Sequence, residues 1–302
     1  MAPDVTLTAR LERSVQHVCD NLTGDLSLTA LADAACLSPF HFHRLFKQHT
    51  GETVREHVER VRLEHAVGLR RRRPELGLAE VAAACGFGSQ TVFARAFRRR
   101  FGVTPAAFDF DGWAAARPDA TDVQAVSAHY LRTAPEAPAD FAVEVRRLPE
   151  ARLAYVRVAD PYTQPAQLMS AFERVLAFAE AHGLPVEERL SGGSRDDPEV
   201  TALKRCRYDV ALELPEGFRP GRELPVQRRA AGDWALHAVA GDLAAVDRAW
   251  NVLFKTWLPA SGLAPRDAPA VEIYRKDPRA TGWGVFDLWL CLPVEPLTRR
   301  RR

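Results

Sequence analysis

The sequence predicts an all-α double helix-turn-helix domain followed by an α+β domain with a duplicated antiparallel sheet. Three observations carry this. Apolar residues recur at spacings of three and four through residues 1–112, as amphipathic helices require. Within that stretch one pattern occurs twice: a short alanine-rich helix, a turn, a serine cap and a basic amphipathic helix. From residue 141 the period shifts toward two, and an order of strand, turn, strand, helix, strand is repeated. A chain of 302 residues accommodates two or three domains. Residues 113–140, rich in Ala, Pro and Asp, read as a linker between them.

The elements of the first domain follow in order. Leu11, Val15, Val18 and Leu22 form one stripe on a helix over 8–22, which Gly24 breaks. Ser27 caps a short helix over 28–35. Ser38 and Pro39 start the next, which runs to about His49, ahead of Gly51. A longer helix spans roughly 53–72, with Val54, Val58, Val61 and Leu69 on it and Pro74 beyond its end. A short helix over 78–85, a turn at Gly86, Phe87 and Gly88, and a helix from Ser89 to about Arg100 repeat the pattern. Thr104 and Pro105 open a last short helix. Phe42, Leu45 and Phe46 of the first unit correspond to Phe93, Ala96 and Phe97 of the second as inward faces.

Composition narrows the function classes. With 47% apolar and 26% charged residues, and no apolar run of 18, the chain reads as a globular protein without a membrane span. The start of the chain lacks a signal-peptide pattern, which makes the cytoplasm the expected compartment. Cys19, Cys36, Cys85, Cys206 and Cys291 form no CxxC pair and read as small buried hydrophobes rather than metal ligands. Charge is uneven: residues 40–100 hold 13 Lys and Arg against 6 Asp and Glu, inside a chain of net charge +2. A local basic excess of this kind suits a nucleic-acid partner.

Geometry agrees with that partner. The long helix is about 30 Å from end to end, and one turn of B-DNA is about 34–36 Å. Two basic helices set apart by that rod reach successive major grooves. Recognition helices present their early residues to bases, which here are Phe40, His41, His43 and Arg44, then Gln90, Thr91, Val92 and Arg95. Arg bonds guanine, Gln bonds adenine, and Thr or Val contacts the thymine methyl. Lys47, Arg98, Arg99 and Arg100 are placed for phosphates.

In the second domain, residues 141–158 read as two strands around Pro149 and Glu150, followed by a helix over 165–182 and a strand over 205–214. Residues 224–241 again read as strand, turn at Gly232 and Asp233, and strand. A helix over 242–257 carrying Leu243, Trp250 and Phe254 follows, then strands over 270–274 and 285–294. Arg147 and Arg229 are 82 positions apart, which supports duplication. The gap between the halves is the expected pocket, lined by Tyr155, Trp250, Trp257, Tyr274, Trp283 and Trp289. Glu272 among them would select a cation, with ring faces adding cation–π attraction.

Several runs carry a family resemblance. Leu31, Ala32 and Ala35, the run from Ser38 to Lys47, Gly51, the run Arg62-Leu63-Glu64-His65-Ala66, the run from Gly86 to Phe97, and Phe101-Gly102-Val103-Thr104-Pro105 resemble the DNA-binding domain of the AraC/XylS family over residues 10–110. The resemblance implies base-reading side chains at Phe40, His43 and Arg44 and at Gln90, Thr91, Val92 and Arg95. Phe40 replaces the tryptophan of some members, and Pro39 a commonly polar residue, so no operator sequence is implied. Residues 141–296 resemble the GyrI-like effector-binding domain through Asp196-Asp197-Pro198, Lys204, Cys206-Arg207-Tyr208-Asp209, Trp257-Leu258-Pro259, Ser261-Gly262 and the run from Pro269 to Tyr274. That resemblance implies a pocket glutamate at Glu272 binding cationic, often lipophilic, compounds, with Arg207 and Asp209 structural.

The implied protein is a sequence-specific regulator whose partners are double-stranded promoter DNA and a small-molecule effector, acting as monomer or dimer, with no cofactor, metal or membrane partner expected. Two alternatives stand beside it. The second domain contacts a protein such as RNA polymerase instead of a ligand, or it is a small-molecule hydrolase built on Glu272, Trp257 and Tyr274. Against the hydrolase, no nucleophile–base–acid series stands out in the sequence.

Overall fold

The computed structural model describes residues 5–110, 136–196, 201–221, 223–266 and 268–297. Its contacts divide the chain into two units, Met1–Ala116 and Arg117–Arg302. Residues 113–135 of the expected linker lie outside the described residues. Among the described residues, no helix is long and apolar enough to cross a membrane.

The first unit is helical: α1 (Val5–Asp20), α2 (Leu28–Ala34), α3 (Pro39–Thr50), α4 (Val54–Arg72), α5 (Leu78–Ala84) and α6 (Gln90–Phe101), with a 3₁₀ turn at Pro105–Ala107. The aligned faces are inside, with Phe42, Phe46, Phe93, Ala96 and Phe97 all buried. α1 braces the first helix-turn-helix, since the Ser14 hydroxyl donates to the Leu31 carbonyl at 3.0 Å and Arg10 Nε donates to that of Ala35 at 2.6 Å. Ser27 and Ser89 accept cap bonds from the amides of Ala30 and Val92, both at 3.2 Å. Ser38 occupies the corresponding position before α3 without a side-chain cap bond. Pro39 behind it has no N–H to satisfy and already holds a helical φ. Gly51 and Gly102 close α3 and α6 at φ 74° and 81°. Cys85, Cys206 and Cys291 are buried as expected, but Cys36 is exposed.

The second unit contains β1 (Glu144–Leu148), β2 (Ala151–Ala159), α7 (Pro165–Ala181), β3 (Leu190–Ser194), β4 (Arg207–Glu213), β5 (Val226–Arg229), β6 (Gly232–Gly241), α8 (Leu243–Val252), β7 (Leu263–Pro265), β8 (Val271–Tyr274) and β9 (Phe286–Pro296). They form one antiparallel sheet in the order β1-β6-β9-β8-β3-β4-β2-β5, with β7 on β9. Equating the first strand, second strand and two last strands of each half maps this order onto its own reverse. The duplication is therefore present as a pseudo-twofold between β3 and β8.

Pairing corrects the two expected hairpins. β1 pairs with β6, and β5 pairs with β2, so each half lends its first strand to the other. A tight two-residue hairpin needs positive φ at its first central residue. Pro149 is locked near −65° and cannot supply it. The helix expected over 242–257 becomes α8 continued by a π-helical turn, Leu253–Trp257. Leu253 is buried there, whereas Leu243 and Phe254 face solvent.

Alternation assigns the sheet two faces. One carries Val156, Val158, Val210, Leu212, Tyr274, Leu288 and Leu290 under the apolar faces of α7 and α8. The other carries Leu153, Tyr155 and Ala211, and separately Trp234, Leu236 and Cys291 beside Trp289.

Candidate nucleic-acid interface and candidate ligand site

In the first unit, amphipathicity sorts α3 and α6 into a buried aromatic side and an exposed side. Phe40, His41, His43 and Arg44 are all exposed, as are Gln90, Thr91, Val92 and Arg95. Phe40 is 83% exposed, an unusual position for a large apolar side chain in a packed domain. A cleft of about 570 Å³ opens between the two helix-turn-helix units, with His43 and Val92 on its walls and Arg55, Glu59 and Arg62 of α4 along it. Of the eight candidate readers, His43 of α3 and Val92 of α6 line this cleft.

The four cations expected at phosphates divide into two pairs. Lys47 and Arg98 are exposed and form no ion pair among the described residues. Arg99 and Arg100 point back at α4: Arg99 Nη2 lies 2.5 Å from Glu59 Oε1, and Arg100 Nη2 lies 3.7 Å from Glu64 Oε1. Spacing along the sequence does not pair these groups, because the acids and the arginines belong to helices distant in sequence.

In the second unit the acid is Glu272, on β8 at the centre of the sheet and on its helix-covered face. Trp250 Nε1 of α8 donates to Glu272 Oε1 at 3.0 Å, and the Tyr208 hydroxyl of β4 donates to Oε2 at 3.2 Å. Burial raises the Glu272 carboxyl above its ordinary range, the two hydrogen bonds oppose that shift, and nearby Asp247 adds to it. Burial and Glu272 likewise push Tyr208 and Tyr274 upward, which keeps both hydroxyls protonated as donors.

Tyr208 reaches Glu272 across β3 because Gly192 lies between them. Gly192 pairs with Glu272 in register, and a Cβ there would sit 2.1 Å from the Tyr208 hydroxyl oxygen. Neither residue was in the expected lining. The signal available was Tyr208 within the run Cys206-Arg207-Tyr208-Asp209, and the glycine pair in a stretch of otherwise unassigned sequence.

The expected aromatic lining is split by the sheet. Trp250, Trp257, Tyr274 and Trp283 pack on the helix-covered side with Phe172, whose ring stands 5.6 Å from Tyr274 and 5.0 Å from Trp283. Tyr155 and Trp289 lie on the opposite face and do not join Glu272. Period two is the reason: a strand residue one step out of phase faces away. There, Arg157 sits 5.2 Å from the Tyr155 ring and Arg275 5.0 Å from that of Trp289.

Arg207 and Asp209 are structural in this arrangement. Arg157 grips Asp209 through two bonds of 2.7 and 2.8 Å, and Arg207 grips Asp196 at 2.8 and 2.6 Å. Burial opposes ionisation of Asp209, but Arg157, Arg195 and Gln227 overcome it and hold its carboxyl below the ordinary range. Among the described residues no group of His, Cys, Asp and Glu has the makings of a metal site.

Comparisons with known proteins bear on both units. Residues 31–109 match a family model described as a helix-turn-helix domain, and residues 141–295 match one described as a GyrI-like small molecule binding domain. YosT of the SPbeta prophage of Bacillus subtilis is 29% identical over 157 residues, covering 51% of this chain and 98% of that protein. A DNA gyrase inhibitor of Serratia proteamaculans is 30% identical over 142 residues, covering 46% of this chain and 89% of that protein. The transcriptional activator RhaS of Escherichia fergusonii is 35% identical over 102 residues, 34% of this chain; the chain spans only 36% of that relative's length.

Proposed function

We propose sequence-specific control of transcription gated by a cationic small molecule, on the premise that the chain belongs to the GyrI-like small molecule binding family through residues 141–295 and carries an AraC-type helix-turn-helix domain at 31–109. The coarse role is that of a transcriptional regulator with one DNA-binding and one small-molecule-binding domain. The finer reading assigns base contacts to Phe40, His41, His43 and Arg44 and to Gln90, Thr91, Val92 and Arg95. Lys47 and Arg98 serve as phosphate contacts. The observation that supports this is the exposure of all eight readers while the opposite sides of the same helices are buried, with His43 of α3 and Val92 of α6 lining one cleft.

Selection of bound duplexes from a random pool by the full chain tests it. An asymmetric site of two boxes about one turn apart is expected. Retention of every duplex with equal affinity rejects specific reading.

The ligand reading rests on Glu272, a carboxyl held by two neutral donors that are themselves aromatic, Trp250 and Tyr208. A lipophilic cation exchanges the hydrogen bonds of Trp250 and Tyr208 for direct charge pairing in a poorly hydrated site, where Coulomb attraction is strongest. Titration with tetraphenylphosphonium, followed by Trp fluorescence, is expected to saturate with the native chain and to weaken at least about tenfold in Glu272→Gln. Equal affinity in the two proteins removes Glu272 from the ligand site.

A further inference from the structure

A buried file of charge runs along α4. Arg60 Nε donates to both carboxylate oxygens of Glu52 at 3.0 Å, His57 Nδ1 lies 3.2 Å from Glu52 Oε2, and Arg60 Nη1 donates to Glu64 Oε2 at 2.8 Å. All four side chains are 9% exposed or less. The file begins at the first helix-turn-helix: Glu52 follows Gly51, the residue that closes α3, and the His57 ring stands edge-on to Phe46 of α3 at 5.2 Å. It ends at the second, where Arg99 of α6 bonds Glu59 at 2.5 Å and Arg100 lies in a longer ion pair with Glu64 at 3.7 Å.

Such an arrangement is a poor way to gain stability, because desolvating the ions offsets most of their attraction. Its best-attested use is to set register. Apolar contacts between helices are non-directional and tolerate sliding. The arginine–carboxylate bonds of Arg60 to Glu52 and Glu64, and of Arg99 to Glu59, are short and directional, and they do not.

We propose that the Glu52–Arg60–Glu64 file, joined to α6 by the Glu59–Arg99 bond and by the longer Glu64–Arg100 ion pair, is a spacing gauge that fixes α6 relative to α3. The chain then accepts two DNA boxes at one separation and rejects the same boxes moved by a base pair. The inference rests on the reading of α3 and α6 as DNA-reading helices. Glu52, Arg60 and Glu64 are positioning residues that act through α3, α4 and α6. Arg99 and Arg100 belong to the gauge and not to the phosphate contacts. A one-base-pair change moves a box by about 3.4 Å and turns it by roughly a tenth of a helical turn. A rigid pair of helices cannot follow both displacements.

The test uses the full chain and the two-box duplex obtained by selection, together with versions carrying one base pair more or fewer between the boxes. The native chain is expected to lose about tenfold or more in affinity on either change. Glu64→Gln is expected to bind a single-box duplex as the native chain does, yet to discriminate the spacings by only about threefold or less. Should Glu64→Gln fail to fold, Glu59→Gln on the exposed flank is expected to flatten the same profile part of the way. Arg100→Gln is expected to leave the dependence of log affinity on log salt unchanged, whereas a lost phosphate contact lowers that slope by about 0.9.

A spacing profile as steep in the Glu64 and Glu59 variants as in the native chain overturns the gauge. So does a reduced salt slope in Arg100→Gln. Failure to select any preferred duplex overturns the DNA reading itself and the gauge with it.

Discussion

Glu272 and Asp209 are two carboxyls in the same sheet, and burial acts on both with opposite outcomes because their partners differ. Neutral donors hold Glu272, so its folded-state carboxyl titrates above the ordinary range. Stability from the protonated form is complete below the unfolded value and is lost as pH rises through the folded value. Glu272→Gln is therefore expected to stabilise the ligand-free chain at neutral pH by about 1 kcal/mol, roughly 2–4 °C in a thermal melt. Binding of a cation to the native chain should fail as pH falls through the same raised value. Arg157 holds Asp209, whose folded carboxyl titrates below the ordinary range. Its contribution is present above the unfolded value and disappears as pH falls through the depressed one. Asp209→Asn removes the carboxylate that Arg157, 2% exposed, and Arg195 share, and urea unfolding should show a loss of about 3–5 kcal/mol. Gly192 is decided by space: Gly192→Ala must displace the Tyr208 ring, which is expected to cost about 1–3 kcal/mol and to weaken cation binding with it.

At the scale of elements, α3 and α6 are the same device used twice, with unequal contents. α6 carries Gln90, Thr91, Val92 and Arg95, side chains with defined pairings to base edges, while α3 presents Phe40 and two histidines. Arg95→Ala is expected to relax preference at one base position and to cost about 1–3 kcal/mol on the best site. Arg98→Gln is expected to weaken binding to all duplexes alike and to lower the salt slope by about one. Quantitative binding to a panel of single-base variants at two salt concentrations separates the two effects. The helices themselves were legible because caps, glycines and a 3.6-residue stripe all act within one turn of chain. β3 was not legible: Leu190-Ser191-Gly192-Gly193-Ser194 lacks a strand composition, and its glycines answer to Tyr208 of β4 and to the Ala270 carbonyl just before β8, close neighbours distant in sequence.

As a whole molecule, the chain joins a DNA-binding domain and a small-molecule-binding domain, and their coupling is a free energy open to measurement. A ligand held at Glu272 is expected to change affinity for the selected duplex by about 5–150-fold, corresponding to about 1–3 kcal/mol. Reciprocity gives a check: saturating duplex must change affinity for the cation by the same factor in the same direction. Glu272→Gln should abolish both effects while leaving duplex affinity in the absence of ligand as it was. A duplex affinity indifferent to saturating cation would leave the two units energetically independent.

What the chain determined locally was the helical unit, its paired turns, the exposed faces of α3 and α6 and the existence of a duplicated sheet domain. Each depends on spacings of a few residues or on repetition of such spacings. Tertiary structure decided which strands exchange partners between the halves, since the chain between β1 and β2 carries only the negative hint of Pro149. It also decided which aromatics share a face with Glu272, because one step of register reverses a strand residue and Tyr155 and Trp289 were lost that way. Last, it decided that Arg99 and Arg100 answer to Glu59 and Glu64. Residues some forty positions apart in sequence meet only once α4 and α6 are packed, so the gauge we propose between α3 and α6 belongs to the fold and to no single segment.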